Sequence, residues 1–175
     1  SRVQELRPRL IITADGFYRG GRLVPLKGMV DEALETGCDF VEGVIVIRRA
    51  GLDTTMNESR DLDYDAVVRR ERWEAATEVM QHDDPLFILT TSEDGGQHKA
   101  VVHGHAGYMV ALARTLSWLF DIKPTDIFWC TSDMAWITGH SYVLYGPMLA
   151  GTTTVMYEGH PLYPQADRMW DIVDR

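Results

Sequence analysis

Residues 90–99, TTSEDGGQHK, combine the residue types that a phosphate-binding loop needs. They follow an apolar run, LFIL, and contain hydroxyl side chains, a glycine pair and Lys99. Backbone N–H groups in such a turn can point at phosphate oxygens, while a lysine supplies positive charge. However, the segment does not match GxxxxGK[ST], and Glu93 and Asp94 place two carboxylates where an anion would bind. Taken alone, the segment favours a polar surface turn between two strands over a nucleotide site.

The histidines and serines near this segment offer two other kinds of chemistry, metal binding and nucleophilic catalysis. His103 and His105 form an HxH pair with His98 nearby, but no cysteine or acidic partner stands at a zinc-like spacing. We therefore predict no metal site. Ser92 and Ser141 both lack the GxSxG setting of a hydrolase nucleophile.

The segments that must position these residues alternate between strand-like and helix-like patterns. Apolar, β-branched runs predict strands, and apolar residues at helical spacing predict helices. The predicted strands cover residues 10–15, 41–49, 85–91, 99–104, 126–132 and 152–159, and the predicted helices cover 24–35, 63–76, 107–120, 140–151 and 166–175. This alternation is typical of an α/β fold with a largely parallel sheet.

Four segments carry more specific expectations. GFYRGGRL (16–23) is glycine-rich and is predicted to be a loop, and residues 50–63 are predicted to be rich in turns. The helix over 107–120 is apolar nearly all round, so we expect it to be buried. The last predicted helix, 166–175, has no strand after it, so we expect the chain to be a piece of a larger domain.

Composition and charge restrict the functional classes. A chain of 175 residues suits one domain with a sizeable core. Its formal net charge of -9 argues against a protein that binds a nucleic-acid backbone. The basic residues are scattered, and the local cluster Arg69, Arg70 and Arg72 adjoins Glu71 and Glu74, as on a solvated helix face. We therefore predict no nucleic-acid partner.

The cysteines and the hydropathy pattern indicate the cellular setting. Cys38 and Cys130 are far apart and form no CxxC pair, which favours a reduced, cytoplasmic protein over a disulfide framework. No apolar run approaches the length of a membrane span, so no membrane association is predicted. The N-terminal SRVQELRPR has neither an initiator Met nor an apolar signal segment.

Residues 126–159 carry a long and specific motif, W-C-T-x-D-x-x-W-x-T-G-H-S-Y-x-x-Y-G-P-x-x-x-G-x-T-x-x-x-Y-E-G. It resembles the AMP-forming acyl-CoA synthetases, which are adenylate-forming ligases, and in particular the acetyl-CoA synthetases and their propionyl-CoA relatives. ITADGFYRGGRLVPLK (12–27) and DPLFILTTS (84–92) resemble the same family, in the same order. The resemblance implies that residues 1–175 are part of the AMP-binding domain, without the family's N-terminal region and C-terminal domain.

The resemblance implies roles for residues outside the loop. Arg19 and Arg22, in the RGGR stretch, would hold the phosphates of coenzyme A, since guanidinium groups bind phosphate bidentately. Trp136 and Ile137 would form the wall of a small acyl pocket, and Thr138 would touch coenzyme A. Without the family match, RGGR would be a basic turn and Trp136 would be a core residue.

Two further positions leave alternatives open. His140 could be a catalytic base, but a structural hydrogen-bonding role near the pocket is the preferred interpretation. Leu162 stands where relatives often carry a polar residue that contacts coenzyme A, and leucine cannot donate that hydrogen bond. No residue is assigned a catalytic role, because the resemblance implies that the ribose-binding aspartate, the adenine-contacting segment, the hinge and the mobile lysine lie beyond Arg175. We therefore expect no acetate-dependent ATP consumption by these 175 residues alone.

The resemblance also assigns residues 90–99 to the phosphates of ATP. The family carries SGSTGKPKG where this chain carries SEDGGQHKA. The ATP phosphate loop would consist of Thr91, Ser92, Gly95, Gly96 and Lys99, and the departures from the family are Glu93, Asp94, Gly95, Gln97, His98 and Ala100. Like charges a few ångströms apart repel by about 1 kcal/mol in water and by more in less polar surroundings, although a bound Mg²⁺ could relieve this.

Three functions stay open at this point. The first is an AMP-forming acetate–CoA ligase, which activates acetate or propionate with ATP and Mg²⁺ and then transfers the acyl group to coenzyme A. The second is a non-catalytic paralogue that binds coenzyme A and an acyl group. The third is an inactive relic with a degenerate phosphate loop.

Overall fold

The computed structural model describes residues 2–71, 74–92 and 98–175, and it divides into two compact units, Ser1–Ala75 with Glu158–Arg175, and Ala76–Tyr157. The helices are α1 (Arg2–Leu6), α2 (Leu26–Leu34), α3 (Tyr64–Arg70), α4 (His105–Trp118), α5 (Ile137–Gly139), α6 (Gly146–Ala150) and α7 (Arg168–Val173). A π-helical turn, His140–Tyr145, joins α5 to α6. The strands are β1 (Leu10–Ala14), β2 (Phe17–Arg19), β3 (Arg22–Val24), β4 (Gly43–Ile47), β5 (Asp61–Asp63), β6 (Pro85–Ser92), β7 (His98–Gly104), β8 (Ile127–Phe128) and β9 (Thr153–Thr154).

The first unit is built on three parallel strands in the order β1, β4, β5. The central strand β4 has the sequence GVIVI, whose branched side chains suit a strand covered on both faces. Val44 and Val46 are almost fully buried, and with Cys38 and Val41 they form the core of the unit. The parallel pairing confirms the predicted α/β class.

The end of β1 leads into a buried carboxylate, Asp15. Its oxygens accept hydrogen bonds from the backbone N–H groups of Gly16, Arg49, Ala50 and Leu52 at 2.7 to 2.8 Å. Burial alone would raise the pKa of Asp15, but the four backbone donors outweigh burial and lower that pKa. The carboxylate thereby ties the loop after β4 to the end of β1.

A buried ion cluster joins α2 to β5. The Lys27 side chain is 1% exposed, and its Nζ lies 2.7 Å from a carboxylate oxygen of Asp31 and 2.7 Å from one of Asp61. Arg60 also donates to both aspartates at 2.7 Å. Burial alone would raise the pKa of Asp61, but the bonds from Arg60 and Lys27 lower it to about 2. Each buried ion therefore has a counter-ion in contact, as buried charge requires.

Residues 16–23 form a β-hairpin, so the prediction of a loop is wrong there. Strand β2 pairs antiparallel with β3, with Arg19 opposite Arg22. Gly20 and Gly21 have φ angles of 57° and 75°. Positive φ at both central residues belongs to the two-residue turn whose twist matches the flanking strands. The glycine pair that suggested a loop is therefore the turn of a hairpin.

The second unit contains two strand pairs with helices beside them. Strands β6 and β7 are antiparallel, with Phe87 opposite His103 and Ser92 opposite His98, while β8 and β9 are parallel. The predicted strands over 126–132 and 152–159 contract to two residues each.

Helix α4 is confirmed as a helix, but the prediction that it is buried is wrong. Leu112 and Leu116 are buried, whereas Val110 and Trp118 are 61% and 72% exposed. A helix that is apolar all round needs neighbours on every side, and the described residues cover only one face of α4.

The other helices are shorter or less regular than predicted. Helix α3 covers half of the predicted 63–76, and Trp73 lies outside the described residues. The helical segment predicted over 140–151 begins with the π-helical turn, and α7 has six residues. None of the helices among the described residues has both the length and the apolar character that a membrane span requires.

Candidate functional site

The β6–β7 hairpin gathers the described part of the predicted phosphate loop at one end. Thr91 pairs with Lys99, and Ser92 pairs with His98. The hairpin therefore brings together three of the five residues that were predicted to bind ATP phosphates. The other two and the two acidic residues lie outside the described residues: Gly95, Gly96, Glu93 and Asp94.

The β2–β3 hairpin brings together the two arginines that were predicted to bind coenzyme A. Arg19 and Arg22 are opposite each other beside the turn, and both are exposed. Residues that are directly opposite on neighbouring strands share one face of the ribbon. The turn therefore carries two guanidinium groups on one side, an arrangement that suits a phosphate ligand.

A segment after β9 lies against this turn. A Cβ atom on Gly21 would come within 2.5 Å of the Tyr163 hydroxyl oxygen, so the ring of Tyr163 lies close to the turn. Next to Tyr163, Leu162 exposes 61% of its surface and offers an apolar side chain, not a donor. Glu158 anchors the start of the segment by accepting a hydrogen bond from the Arg49 Nε at 3.0 Å.

The start of α5 carries the residues that were predicted to line the acyl and coenzyme A sites. Trp136 precedes the helix with an extended backbone and is 65% exposed. Ile137 and Thr138 follow it in the first turn and are also exposed. Trp136 is therefore not part of the core that the described residues form.

His140 is held by the residue that begins the same segment. Its backbone N–H donates to the Trp136 carbonyl at 3.0 Å, and its Nδ1 lies 3.0 Å from the same oxygen. Its ring centroid lies 5.4 Å from that of Phe87. These contacts agree with a structural hydrogen-bonding role for His140, which stays the preferred interpretation.

Gly139 sets the distance between α5 and the turn before it. A Cβ atom on Gly139 would lie 2.1 Å from the Asp133 carbonyl oxygen and 2.7 Å from the Met134 Cα. The same Asp133 carbonyl accepts a hydrogen bond from the Trp136 N–H at 3.1 Å. The glycine of WITGH therefore has a steric reason, because no side chain fits at its position.

Four rings surround Phe87 and connect the β6–β7 hairpin to the helices, an arrangement that the sequence analysis did not predict. The centroid of Phe87 lies 4.8 Å from His103, 4.9 Å from Tyr108, 5.4 Å from His140 and 5.6 Å from Tyr145. We call these five residues the aromatic cluster. His103, one half of the HxH pair, packs in this cluster, and the described residues contain no group of three or more metal-ligating side chains.

A hydrogen bond joins the aromatic cluster to the π-helical turn. The Tyr108 hydroxyl on α4 lies 2.8 Å from the Ser141 hydroxyl, and Ser141 is 6% exposed. Burial raises the pKa of Tyr108, with the Ser141 bond acting in the opposite direction. A phenol whose ordinary pKa is about 10 is thus protonated at neutral pH, so this bond is a neutral one.

The comparisons with known proteins agree on one family. The family model described as AMP-binding enzyme matches residues 2–175. The acetyl-coenzyme A synthetase of Rhodopirellula baltica is 48% identical over 174 residues, which are 99% of this chain and 26% of that protein. The acetyl-coenzyme A synthetase of Laribacter hongkongensis is 46% identical over 175 residues, 99% of this chain and 27% of that protein.

A solved structure shows the same fold. An acetoacetyl-CoA synthetase from Streptomyces lividans matches with a TM-score of 0.83 and 28% sequence identity, over 98% of this chain and 26% of that one. The chain therefore spans about a quarter of the length of the relatives that it matches.

Proposed function

This chain belongs to the AMP-binding enzyme family, and on that premise we propose that the protein containing it is an AMP-forming acetate–CoA ligase. The observation that carries the proposal is the 45 to 48% identity to acetyl-coenzyme A synthetases over nearly the whole chain. In the first step an acetate oxygen attacks the α-phosphorus of ATP, which forms acetyl-adenylate and releases pyrophosphate. In the second, the thiol of coenzyme A attacks the acetyl carbon, loses its proton and displaces AMP.

Three groups of residues bind the substrates in this proposal. The phosphates of ATP contact Thr91, Ser92, Gly95, Gly96 and Lys99; coenzyme A contacts Arg19, Arg22 and Thr138; the acyl group contacts Trp136 and Ile137. The pairing of Thr91 with Lys99 and of Arg19 with Arg22 supports the first two groups. Such residues act by positioning the reactants and by stabilising negative charge.

Mg²⁺ enters this proposal with ATP, as the counter-ion of the triphosphate. No described residue is assigned to it, since the described residues offer no cluster of three potential ligands. Glu93 and Asp94 carry the oxygen ligands that Mg²⁺ prefers. Cys38 and Cys130 are free thiols, which supports the proposed cytoplasmic location.

The proposal is tested by acetate-dependent exchange of label between pyrophosphate and ATP, measured on the full-length protein. We expect exchange with acetate, and comparison with propionate gives the acyl preference. Exchange with neither acid, from protein whose melting transition shows that it is folded, would contradict the proposal.

A second candidate is a non-catalytic paralogue or relic, and the acidic loop favours it. Glu93 and Asp94 add two negative charges to a segment that must approach a triphosphate. The triple variant Glu93→Gly, Asp94→Ser and Gln97→Lys restores the family's pattern at three positions. We expect comparable exchange by the wild type and the variant. Exchange by the variant alone would mean that adenylation has been lost from the natural protein.

The arginine pair gives a prediction that separates the two half-reactions. We expect Arg22→Ala to raise the KM for coenzyme A by about 10-fold or more, because a charge-assisted phosphate bond contributes about 1.5–3 kcal/mol. Acetate-dependent pyrophosphate exchange needs no coenzyme A, so it should stay within about twofold of the wild type. The matched control is Arg69→Ala, an exposed arginine on α3. A change in exchange with no change in the KM for coenzyme A would contradict the assigned role.

A further inference from the structure

The π-helical turn His140–Tyr145 separates the acyl-pocket residues from the body of the second unit. A π-helical turn contains one residue more than an α-helical turn. It therefore changes the direction in which the preceding residues leave the helix. Here the residues before it are Trp136, Ile137 and Thr138. The position of the pocket wall therefore depends on what keeps this turn in place.

Two contacts with α4 hold the turn. The Tyr108 hydroxyl is hydrogen-bonded to the Ser141 hydroxyl at 2.8 Å. Below it, a Cβ atom on Gly146 would come within 2.8 Å of the Leu116 Cδ1 and 2.6 Å of the Ser141 carbonyl oxygen. The Gly146 N–H donates to that same carbonyl, which closes the π-turn. The hydrogen bond between Tyr108 and Ser141 is directional, and the approach of Leu116 to Gly146 is a close steric fit.

The aromatic cluster fixes Tyr108 itself. Its ring packs edge-on against Phe87 at 4.9 Å and against Tyr145 at 5.7 Å, with interplanar angles of 87° and 89°. Tyr145 is the last residue of the π-turn, so Tyr108 contacts the turn at Ser141 near its start and at Tyr145 at its end. Tyr108 therefore contacts one end of the turn with its hydroxyl and the other end with its ring.

We propose that Tyr108 is a positioning residue, which holds the π-helical turn through Ser141 and thereby sets the position of the acyl-pocket wall at Ile137. This inference rests on the proposed ligase function. It extends that function because neither Tyr108 nor Ser141 contacts a substrate in the proposed site. Its role is to keep Ile137 close enough to a two-carbon acid to exclude a longer one.

The expected changes in kinetics follow from how closely the pocket wall approaches the acyl group. A hydrophobic pocket discriminates one methylene group by about 10- to 200-fold, so a slight retreat of its wall loses part of that factor. Tyr108→Phe keeps the ring in the aromatic cluster and removes only the hydroxyl. We expect the KM for acetate to rise about 3- to 10-fold, the scale of one neutral hydrogen bond. The ratio of kcat/KM for propionate to that for acetate should rise as well.

The KM for ATP should stay within about twofold in the same variant. Ser141→Ala removes the other half of the bond, so it should cause the same changes. The double variant should be no worse than either single variant, because both remove one interaction. The matched control is Tyr142→Phe, a tyrosine of the same turn whose ring packs on Phe120. It should leave the acyl preference unchanged.

The experiment measures steady-state kinetics of these four variants of the full-length protein, with melting temperatures alongside. Independent, additive effects of Tyr108→Phe and Ser141→Ala would overturn the inference, as would lowered melting temperatures with an unchanged preference for acetate. An equal rise in the KM for acetate and for ATP would do so too. A wild type that is inactive with acetate would instead refute the proposed function, and this inference with it, so the two failures are distinguishable.

Discussion

Gly139→Ala is expected to lower the free energy of unfolding by about 3 kcal/mol or more and to abolish acetate-dependent exchange. Overpacking usually costs about 1–3 kcal/mol, and more where the obstacle cannot move. Here the new Cβ atom would meet backbone atoms of Asp133 and Met134, at 2.1 and 2.7 Å. To relieve the overlap, α5 must move away and take Ile137 and Thr138 with it. Urea denaturation and the exchange assay measure the two effects.

The control for Gly139→Ala is Gly107→Ala on α4. The Cβ atom of Gly107→Ala would meet nothing within 4 Å. Alanine has the higher helix propensity, so this variant should be unchanged or more stable by up to about 1 kcal/mol. Similar losses in both variants would show that the clash at Gly139 is not what destabilises the protein.

The second large effect is expected at Asp15. Asp15→Ala should cost about 3 kcal/mol or more, because each buried N–H group that loses its acceptor costs about 1–3 kcal/mol and Asp15 serves four. The matched control is Asp39→Ala, an exposed aspartate of the same unit, which should change stability by less than about 0.5 kcal/mol. Equal stability of the two variants in urea would contradict this account.

The pH dependence of stability gives a second test of Asp15. The pKa of Asp15 is lower in the folded protein than its ordinary value near 3.9. At a pH between the folded-state pKa and this ordinary value, Asp15 is protonated in the unfolded chain but ionised in the folded protein. Its contribution to stability is therefore complete above about pH 5, and it is lost progressively as the pH falls through the unfolded-state pKa towards the lower folded-state pKa. Asp15→Ala should show a shallower loss of stability on acidification than the wild type does.

The sequence predicts a strand correctly where its residue pattern is compatible with only one kind of secondary structure. VEGVIVIRR contains a β-branched run too short for a helix, and it indeed holds β4 at the centre of the first sheet. The pair Gly20–Gly21 has two solutions, since glycine suits both an irregular loop and the turn of a hairpin. Only the pairing of Arg19 with Arg22 decides between them. Similarly, α4 has a clear helical pattern, but its burial depends on neighbours that its sequence does not specify.

Some residues of the candidate site could likewise be predicted from the sequence, and others could not. Trp136, Ile137 and Thr138 are consecutive, so a motif finds them. The aromatic cluster draws on β6, β7, α4 and the π-turn, and its members are far apart in the sequence. Each member has an ordinary alternative as a core or surface residue, so no local pattern marks them. The motif over residues 126–159 includes two members of the aromatic cluster, His140 and Tyr145, but it does not indicate that they pack against the other three.

Because β6 and β7 pair through their backbones, the folding of this hairpin and its affinity for a ligand depend on different residues. Their rungs, from Phe87 with His103 to Ser92 with His98, are backbone hydrogen bonds, which do not depend on side-chain identity. We therefore expect the pairing of β6 with β7 to persist when residues of 93–97 other than Gly95 and Gly96 are substituted, which would give that stretch high mutational robustness. Directed evolution could therefore randomise it and select for a new nucleotide or acyl donor, with the scaffold unchanged.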